Sequence, residues 1–143
     1  MTRALVAALA GIGLLATSAG GATGQSVIRI TDVEVARHLS DGARPGSTET
    51  IRQQLYNPRL SRKPIGRSVL VCTYTDGRDR SCVGTYILPR GSLVVTGALQ
   101  SRLLYELPIV GGTGLYTEAR GTLTVTATHV RPRHEVLIFR LAG

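Results

Sequence analysis

The chain has 143 residues, enough for one domain with a single hydrophobic core. Its 17 basic and 9 acidic residues give a net charge of +8, and every basic residue but Lys63 is an arginine. One Phe, five Tyr and no Trp leave few rings on which bases could stack, so the composition argues against nucleic acid as a partner in spite of the charge.

The N-terminus has the pattern of a secretory signal peptide, predicted at residues 1–22. Arg3 precedes an apolar run from Ala4 to Ala16, and small residues follow up to Ala22. That run is shorter than the roughly 20 apolar residues that usually span a bilayer; an uncleaved anchor is the alternative. We therefore predict a secreted, extracytoplasmic domain at residues 25–143, with no stable membrane insertion after signal cleavage.

Export makes the two cysteines, Cys72 and Cys82, candidates for a disulfide rather than a metal site. Asp76 and Gly77 form a strong hairpin turn signal between two strand-like segments. Folding the hairpin about Gly77 places the two cysteines opposite each other, at a separation that a disulfide tolerates. The alternative is two free thiols, one of them facing a cavity.

Most of the remaining chain has the two-residue alternation of β-strands. The predicted strands are Ser26–Ala36, Arg67–Thr75, Cys82–Leu88, Ser92–Gly97, Arg102–Val110, Ala119–Val130 and His134–Leu141. Residues 37–64 lack a sustained period and contain several prolines and glycines, so we predict a long loop there, with at most one short strand around Thr50–Leu55. An all-β domain of seven or eight antiparallel strands, a closed barrel or a sandwich, follows from this pattern.

A glycine-rich stretch, Ile109 to Gly121, reads I-V-G-G-T-G-L-Y-T-E-A-R-G. Neither of the glycine patterns that bind phosphates fits it, and a strand follows, so we interpret it as a corner between strands. From Gly111 onward it is similar to the G-G-T-G-x-(F/Y)-x-x-A-R-G signature of plant dirigent proteins. Three shorter motifs resemble the wider family that joins dirigent proteins to allene oxide cyclases: Ile65-Gly66-Arg67, Gly84-Thr85-Tyr86 and Leu88-Pro89-x-Gly91.

The resemblance implies an eight-stranded antiparallel β-barrel that forms a homo-oligomer, a dimer or trimer, around largely apolar cavities. Such proteins bind a small apolar organic intermediate and steer its stereoselective coupling or ring closure, without a metal or an organic cofactor. Whether this chain is an enzyme of the isomerase or cyclase type stays open. The alternative function is a non-catalytic exported barrel that binds a hydrophobic ligand, a glycan or a partner protein.

By the same resemblance, Asp32 and Arg120 match an acid and an arginine of the dirigent pocket and are the predicted catalytic residues. An acid and an arginine that face one apolar cavity can protonate, orient or stabilise charge on an oxygen. In the alternative, Arg120 binds carbonyls of the glycine corner and Asp32 lies on the surface, because its strand has an ambiguous inner face. Tyr74, Tyr86 and Tyr105 are predicted to contact the ligand, or else to be core or interface residues.

Other chemistry finds little support in the sequence. His129 and His134 flank a turn but have no clear third ligand, so no metal site is predicted. The absence of a G-x-S-x-G motif argues against an esterase.

Overall fold

Eight antiparallel strands close into a β-barrel in the computed structural model, which describes residues 24–57, 59, 62–100, 103–128 and 133–142. Each strand pairs with its neighbours in sequence, and the last strand pairs with the first. The strands are β1 (Ser26–Leu39), β2 (Thr48–Tyr56), β3 (Gly66–Tyr74), β4 (Arg80–Leu88), β5 (Gly91–Leu99), β6 (Leu104–Gly112), β7 (Gly121–Ala127) and β8 (His134–Leu141). The prediction of an all-β, eight-stranded antiparallel barrel is confirmed.

The signal peptide predicted at residues 1–22 lies outside the described residues. In the described part of the chain, no helix is long and apolar enough to cross a membrane.

Alternation along the strands builds the barrel interior, because successive side chains of a strand point to opposite faces. Fully buried apolar side chains come from strands all round the barrel: Leu55, Leu93, Leu107, Leu123, Leu137 and Phe139. Burying a side chain of this size contributes roughly 1.5 to 3 kcal/mol to folding. The hydrophobic core is therefore the inside of the barrel itself.

The β1 strand has a β-bulge that changes which side chains face inward. Ile30 and Asp32 are buried in the first part of the strand, which resolves its ambiguous inner face in favour of Asp32. The pairing with β2 then shifts between Glu34 and Ala36. Because the extra residue reverses the alternation, Glu34 and Arg37 both lie on the inner side, where their side chains form an ion pair of 2.6 Å.

The prediction of a long loop at residues 37–64 is wrong, because strands occupy much of this segment. β1 extends to Leu39, and Thr48–Tyr56 forms a full strand, β2. Glu49 and Gln53 alternate with Ile51 and Leu55 on the buried side of β2. Two inward polar residues broke the apolar pattern on which the sequence-based assignment depends.

The glycine-rich stretch is a corner between β6 and β7, as interpreted. A single turn of 3-10 helix, Gly114–Tyr116, connects the two strands. Gly121 begins β7 with φ 143°, and a Cβ there would overlap the carbonyl oxygen of Arg140. Only glycine allows β7 to approach β8 so closely at this end of the barrel.

Cys72 on β3 faces Cys82 on β4, and the two form a disulfide, as predicted. Their Cα atoms are 4.0 Å apart, and both side chains are fully buried. The bridge joins the two strands of the hairpin next to the end that carries its turn.

Replacing both cysteines with serine should lower the free energy of unfolding by about 2 to 3 kcal/mol, because the unfolded chain loses its constraint on a loop of 10 residues. Urea unfolding of the wild-type protein and of the Cys72→Ser/Cys82→Ser variant measures the difference. Addition of a reductant should destabilise the wild-type protein under unfolding conditions and leave the variant unchanged. Equal stability of the two proteins would contradict the prediction.

Candidate functional site

A group of polar side chains lies inside the barrel, where apolar residues would be expected. We call it the interior polar cluster; it consists of Asp32, Gln53, Ser68, Tyr86, Tyr105 and Glu135. Five of the six are buried, and Tyr105 is partly exposed. Buried polar groups are costly unless they are hydrogen-bonded, so such a cluster is a candidate functional site.

Hydrogen bonds connect one side of the interior polar cluster across four strands. The Ser68 hydroxyl donates to Gln53 Oε1 at 2.7 Å, and Gln53 Nε2 donates to Glu135 Oε2 at 3.0 Å. The Tyr105 hydroxyl donates to the same Glu135 oxygen at 3.4 Å. Arg133 Nε lies 3.5 Å from the other oxygen, Glu135 Oε1. The Glu135 carboxylate is thus held by two hydrogen bonds at Oε2 and by an ion pair with Arg133 at Oε1.

Asp32 is in a different situation. It pairs with Glu135 across β1 and β8, so the two acids lie side by side on the inner face. Its hydrogen-bond partner among the described residues is Glu135, through side chain and backbone, at a geometry weaker than that of a normal hydrogen bond. Burial, and next the negative charge of Glu135, raise the pKa of Asp32 to about 9. The raised pKa favours the protonated form of Asp32 at neutral pH, and the O–H of that form can donate to the Glu135 carboxylate.

Tyr86 has a fully buried hydroxyl that lacks a partner among the described residues. Its ring packs edge-on against Phe139, with the ring centroids 5.2 Å apart, which fixes the orientation of the side chain. Burial is the main cause that raises the pKa of Tyr86 above its ordinary value. Tyr86 thus presents a neutral hydroxyl inside the barrel.

A second polar group, the Glu49 cluster, lies beside the disulfide and consists of Arg37, Glu49, Tyr74 and Arg80. Both Arg37 and Arg80 donate to the Glu49 carboxylate through Nη1, and the Tyr74 hydroxyl donates to Glu49 Oε2 at 3.4 Å. The guanidinium carbon of Arg80 is 6.0 Å from the centre of the Tyr74 ring. Because its charges are mutually satisfied, we assign the Glu49 cluster a structural role.

Comparison of sequences found no protein-family model and no characterised protein that matches the chain. Solved structures do match. A pyocyanin demethylase superposes with a TM-score of 0.68 at 19% identity, covering 78% of this chain and 98% of its own. A pterocarpan synthase dirigent protein superposes with a TM-score of 0.68 at 16% sequence identity, and the match covers 99% of both chains. A Diels–Alderase from Streptomyces koyangensis superposes with a TM-score of 0.62 at 16% sequence identity, and the match covers 90% of this chain and 74% of its own.

The chain has the dirigent-like barrel fold. The fold that the glycine motif implied is thereby confirmed, and at 16 to 19% identity the likeness concerns the fold alone.

The dirigent-like barrel does not bring Asp32 and Arg120 together. Asp32 is buried in the interior polar cluster, whereas Arg120 is exposed and its Nη1 donates to the carbonyl oxygen of Ala119 at 2.9 Å. The inward residues of β7 are Leu123 and Val125. Arg120 immediately precedes β7 and is an odd number of positions from both, so it falls on the outward face. Arg120 matches the alternative interpretation, in which it binds a carbonyl at the glycine corner.

The three predicted ligand-binding tyrosines divide between the two polar groups. Tyr86 and Tyr105 belong to the interior polar cluster, and Tyr74 belongs to the Glu49 cluster. His134 is at the start of β8, and its predicted neighbour His129 lies outside the described residues. In the ranges that the structure describes, no three His, Cys, Asp or Glu side chains are grouped to hold a metal ion.

The sequence interpretation missed Glu135. Within β8, Glu135 has the same alternation as Leu137 and Phe139, which are fully buried. An acid in phase with the apolar face of a strand is a signal for an inward carboxylate. That signal was available, but only the pairing of β8 with β1 shows that Glu135 lies beside Asp32.

Proposed function

We propose that this exported dirigent-like barrel binds a small apolar organic intermediate and steers its stereoselective coupling or ring closure. The observation that carries the proposal is the buried acid pair of Asp32 and Glu135, together with the buried Tyr86 hydroxyl that has no hydrogen-bond partner among the described residues, inside an otherwise largely apolar barrel. Buried polar groups without a partner are rare in proteins, and a catalytic role is one of the reasons for which they are kept.

The chemistry follows from the surroundings of Asp32. Apolar walls select a ligand with little charge and hold it in one orientation, which lowers the entropy barrier to a coupling or ring closure. The protonated Asp32 carboxyl can donate to an oxygen of the intermediate on which negative charge develops. Glu135 already accepts hydrogen bonds from Gln53 and Tyr105, so it fixes the cluster rather than the ligand.

Access to the site involves Tyr105, which is the most exposed member of the interior polar cluster. Asp32 and Tyr86 are both fully buried. A ligand can therefore contact them only after interior side chains move, and the partly exposed Tyr105 marks the side from which solvent reaches the cluster.

The names of two of the structural neighbours fit this proposal. One is a pterocarpan synthase dirigent protein and another a Diels–Alderase, and both names refer to the formation of rings. Export of this chain and its assembly as a dimer or trimer remain predictions. Exposed apolar side chains on the outer faces of β3 and β4, Val71 and Val83, pair across the two strands and provide a surface for assembly.

The alternative function is a non-catalytic barrel that binds a hydrophobic ligand, a glycan or a partner protein. The observation in its favour is the position of Arg120, which cannot stabilise charge inside the barrel from the outer surface. The close packing around Asp32 also favours it, since no solvent reaches that carboxyl.

The test is a stereochemical assay on protein purified after expression of the full chain. In one arm, a one-electron oxidant generates phenoxyl radicals from coniferyl alcohol, and two radicals combine to form each new bond. In the other, a linear triene closes by intramolecular cycloaddition. We expect one enantiomer in excess in at least one arm, measured by chiral chromatography, and a smaller excess for Asp32→Leu.

Glu106→Gln is the matched control, because Glu106 is exposed on the outer face and contacts Thr124. The Glu106→Gln variant should give the same enantiomeric excess as the wild-type protein. Racemic product in both arms, together with saturable ligand binding, would support the non-catalytic alternative. Binding can be followed by tyrosine fluorescence, because the chain has five Tyr and no Trp.

A further inference from the structure

The two ends of the barrel differ in charge. Because neighbouring strands are antiparallel, alternate connections lie at the same end, so residues 57–65, 89–90 and 113–120 share one end. We call it the basic end. Among the described residues of these three connections, Glu118 is the only acid. Their basic side chains are all exposed: Arg59, Arg62, Lys63, Arg90 and Arg120.

The opposite end is close to neutral in the β1–β2 and β3–β4 connections. There Asp41, Asp76 and Asp79 stand against Arg44 and Arg78. The inner side of the barrel holds four further acids, which do not balance charge at the basic end: Asp32, Glu34, Glu49 and Glu135. The excess positive charge of the chain is therefore unevenly distributed over its surface, and the basic end carries a large share of it.

The arginines of the basic end are not neutralised within the part of the chain that the structure describes. Arg59, Arg62 and Arg90 form no ion pair with any described residue. Arg120 donates to the carbonyl oxygen of Ala119, a neutral acceptor that leaves its charge in place. Clustered cations of one sign attract anionic partners from solution.

Exposed apolar side chains lie among these cations. Leu115 is in the helical turn of the glycine corner and, at 63%, is the most exposed large apolar side chain of the described residues. Its amide donates to the carbonyl oxygen of Arg90 at 2.9 Å, so an apolar tip adjoins a cationic turn. Gly114, with φ 60°, permits this contact, because a Cβ there would overlap the same carbonyl oxygen. Val27, 58% exposed at the start of β1, belongs to the same end.

A groove of about 490 Å³ lies between the β2–β3 connection and the β4–β5 turn. Its lining includes Pro64, Ile65, Ile87 and Pro89, with the exposed side chain of Arg67 beside them. Arg67 pairs with Ile87 across β3 and β4, so a guanidinium and an apolar side chain are neighbours here as well. The basic end thus combines cations with apolar surface at two separate places.

We propose that the basic end docks peripherally on a bilayer surface that contains anionic phospholipids. Its cations bind the headgroup phosphates, and Leu115 leaves water for the boundary between headgroups and acyl chains. A soluble polyanion would use the cations but would leave Leu115 and Val27 in water. The site is independent of the proposed function, because none of its residues belongs to the interior polar cluster.

Two double variants of equal net charge test the role of the basic end. Arg62→Gln/Arg90→Gln removes two charges from it, and Arg44→Gln/Arg78→Gln removes two from the opposite end. Protein purified after expression of the full chain is sedimented with vesicles of phosphatidylglycerol and phosphatidylcholine in equal parts, or of phosphatidylcholine alone. We expect the wild-type protein to prefer the anionic vesicles. The first variant should bind them about 25-fold more weakly, and the second should resemble wild type.

A fluorescent reporter tests the docking of Leu115. The chain has no Trp, so Leu115→Trp introduces a single indole at the basic end. Leu104→Trp is the matched control, because Leu104 is 60% exposed at the start of β6, at the opposite end. On anionic vesicles the emission of Leu115→Trp should shift to shorter wavelength, as the indole enters an apolar environment, and that of Leu104→Trp should stay unchanged.

Equal affinity of the two double variants for anionic vesicles would overturn the assignment to the basic end. If the emission of Leu115→Trp does not move, and soluble polyphosphate binds more tightly than the vesicles, the basic end is a site for a polyanion in solution and the proposal fails. Absence of binding to anionic vesicles would also overturn it, and would leave the stereochemical assay of the proposed function unaffected.

Discussion

Replacing Glu49 with glutamine is expected to lower the free energy of unfolding by about 3 to 5 kcal/mol, the effect of breaking a buried ion pair from one side. Glu49 and Arg80 are almost completely buried, at 2% and 4% exposure, and the Glu49 carboxylate binds both Arg80 and Arg37. Arg37 remains partly exposed and keeps Glu34 as a partner. Arg80, in contrast, would stay buried without a counter-charge. Thermal and urea unfolding measure the change.

The matched control for Glu49→Gln is Glu106→Gln, which removes the same charge from an exposed position where the carboxylate accepts a hydrogen bond from Thr124. It should change stability by less than about 0.5 kcal/mol. The double variant Glu49→Leu/Arg80→Met should recover most of the lost stability, because it removes both buried charges together. A loss no greater than that of Glu106→Gln would show that Arg80 does not depend on Glu49.

Replacing Asp32 with asparagine is expected to flatten the dependence of stability on pH. The pKa of Asp32 is about 9 in the folded state against an ordinary value of 3.8, so the folded protein keeps a proton that the unfolded chain releases. The stability that this group contributes is complete below pH 3.8 and is lost as the pH rises towards 9. From pH 5 to pH 8, the stability of the variant relative to wild type should increase, by up to about 4 kcal/mol if folded Asp32 keeps its proton throughout.

The change with pH is the informative quantity, because the fixed cost of the amide is the same at every pH. The charged groups that act on Asp32 are Glu135 and Glu34, and both are unchanged in the variant. Asp76→Asn is the control: turn amides of Asp79 and Arg78 hold the pKa of Asp76 below its usual value, so it is ionised throughout this range. Parallel wild-type and Asp32→Asn curves would contradict a protonated Asp32.

Local alternation along the chain was sufficient to predict most of the fold. Apolar residues at every second position gave seven strands close to their observed bounds, and the Asp76–Gly77 turn gave the disulfide between Cys72 and Cys82. The strand that was nearly missed, β2, places Glu49 and Gln53 inside the barrel. Sequence patterns assume that buried residues are apolar, so a strand that supplies both polar clusters has a weak signal.

The sequence by itself determined a β-rich, disulfide-linked chain with a glycine corner, because turns and alternation depend on neighbouring residues. Only the tertiary structure decided which polar side chains meet. Closure of β8 against β1 places Glu135 beside Asp32, and the outward alternation of Arg120 in front of β7 excludes that residue from the interior. Pairings between distant strands depend on the shape of the whole barrel, and the raised pKa of Asp32 is a consequence of that shape.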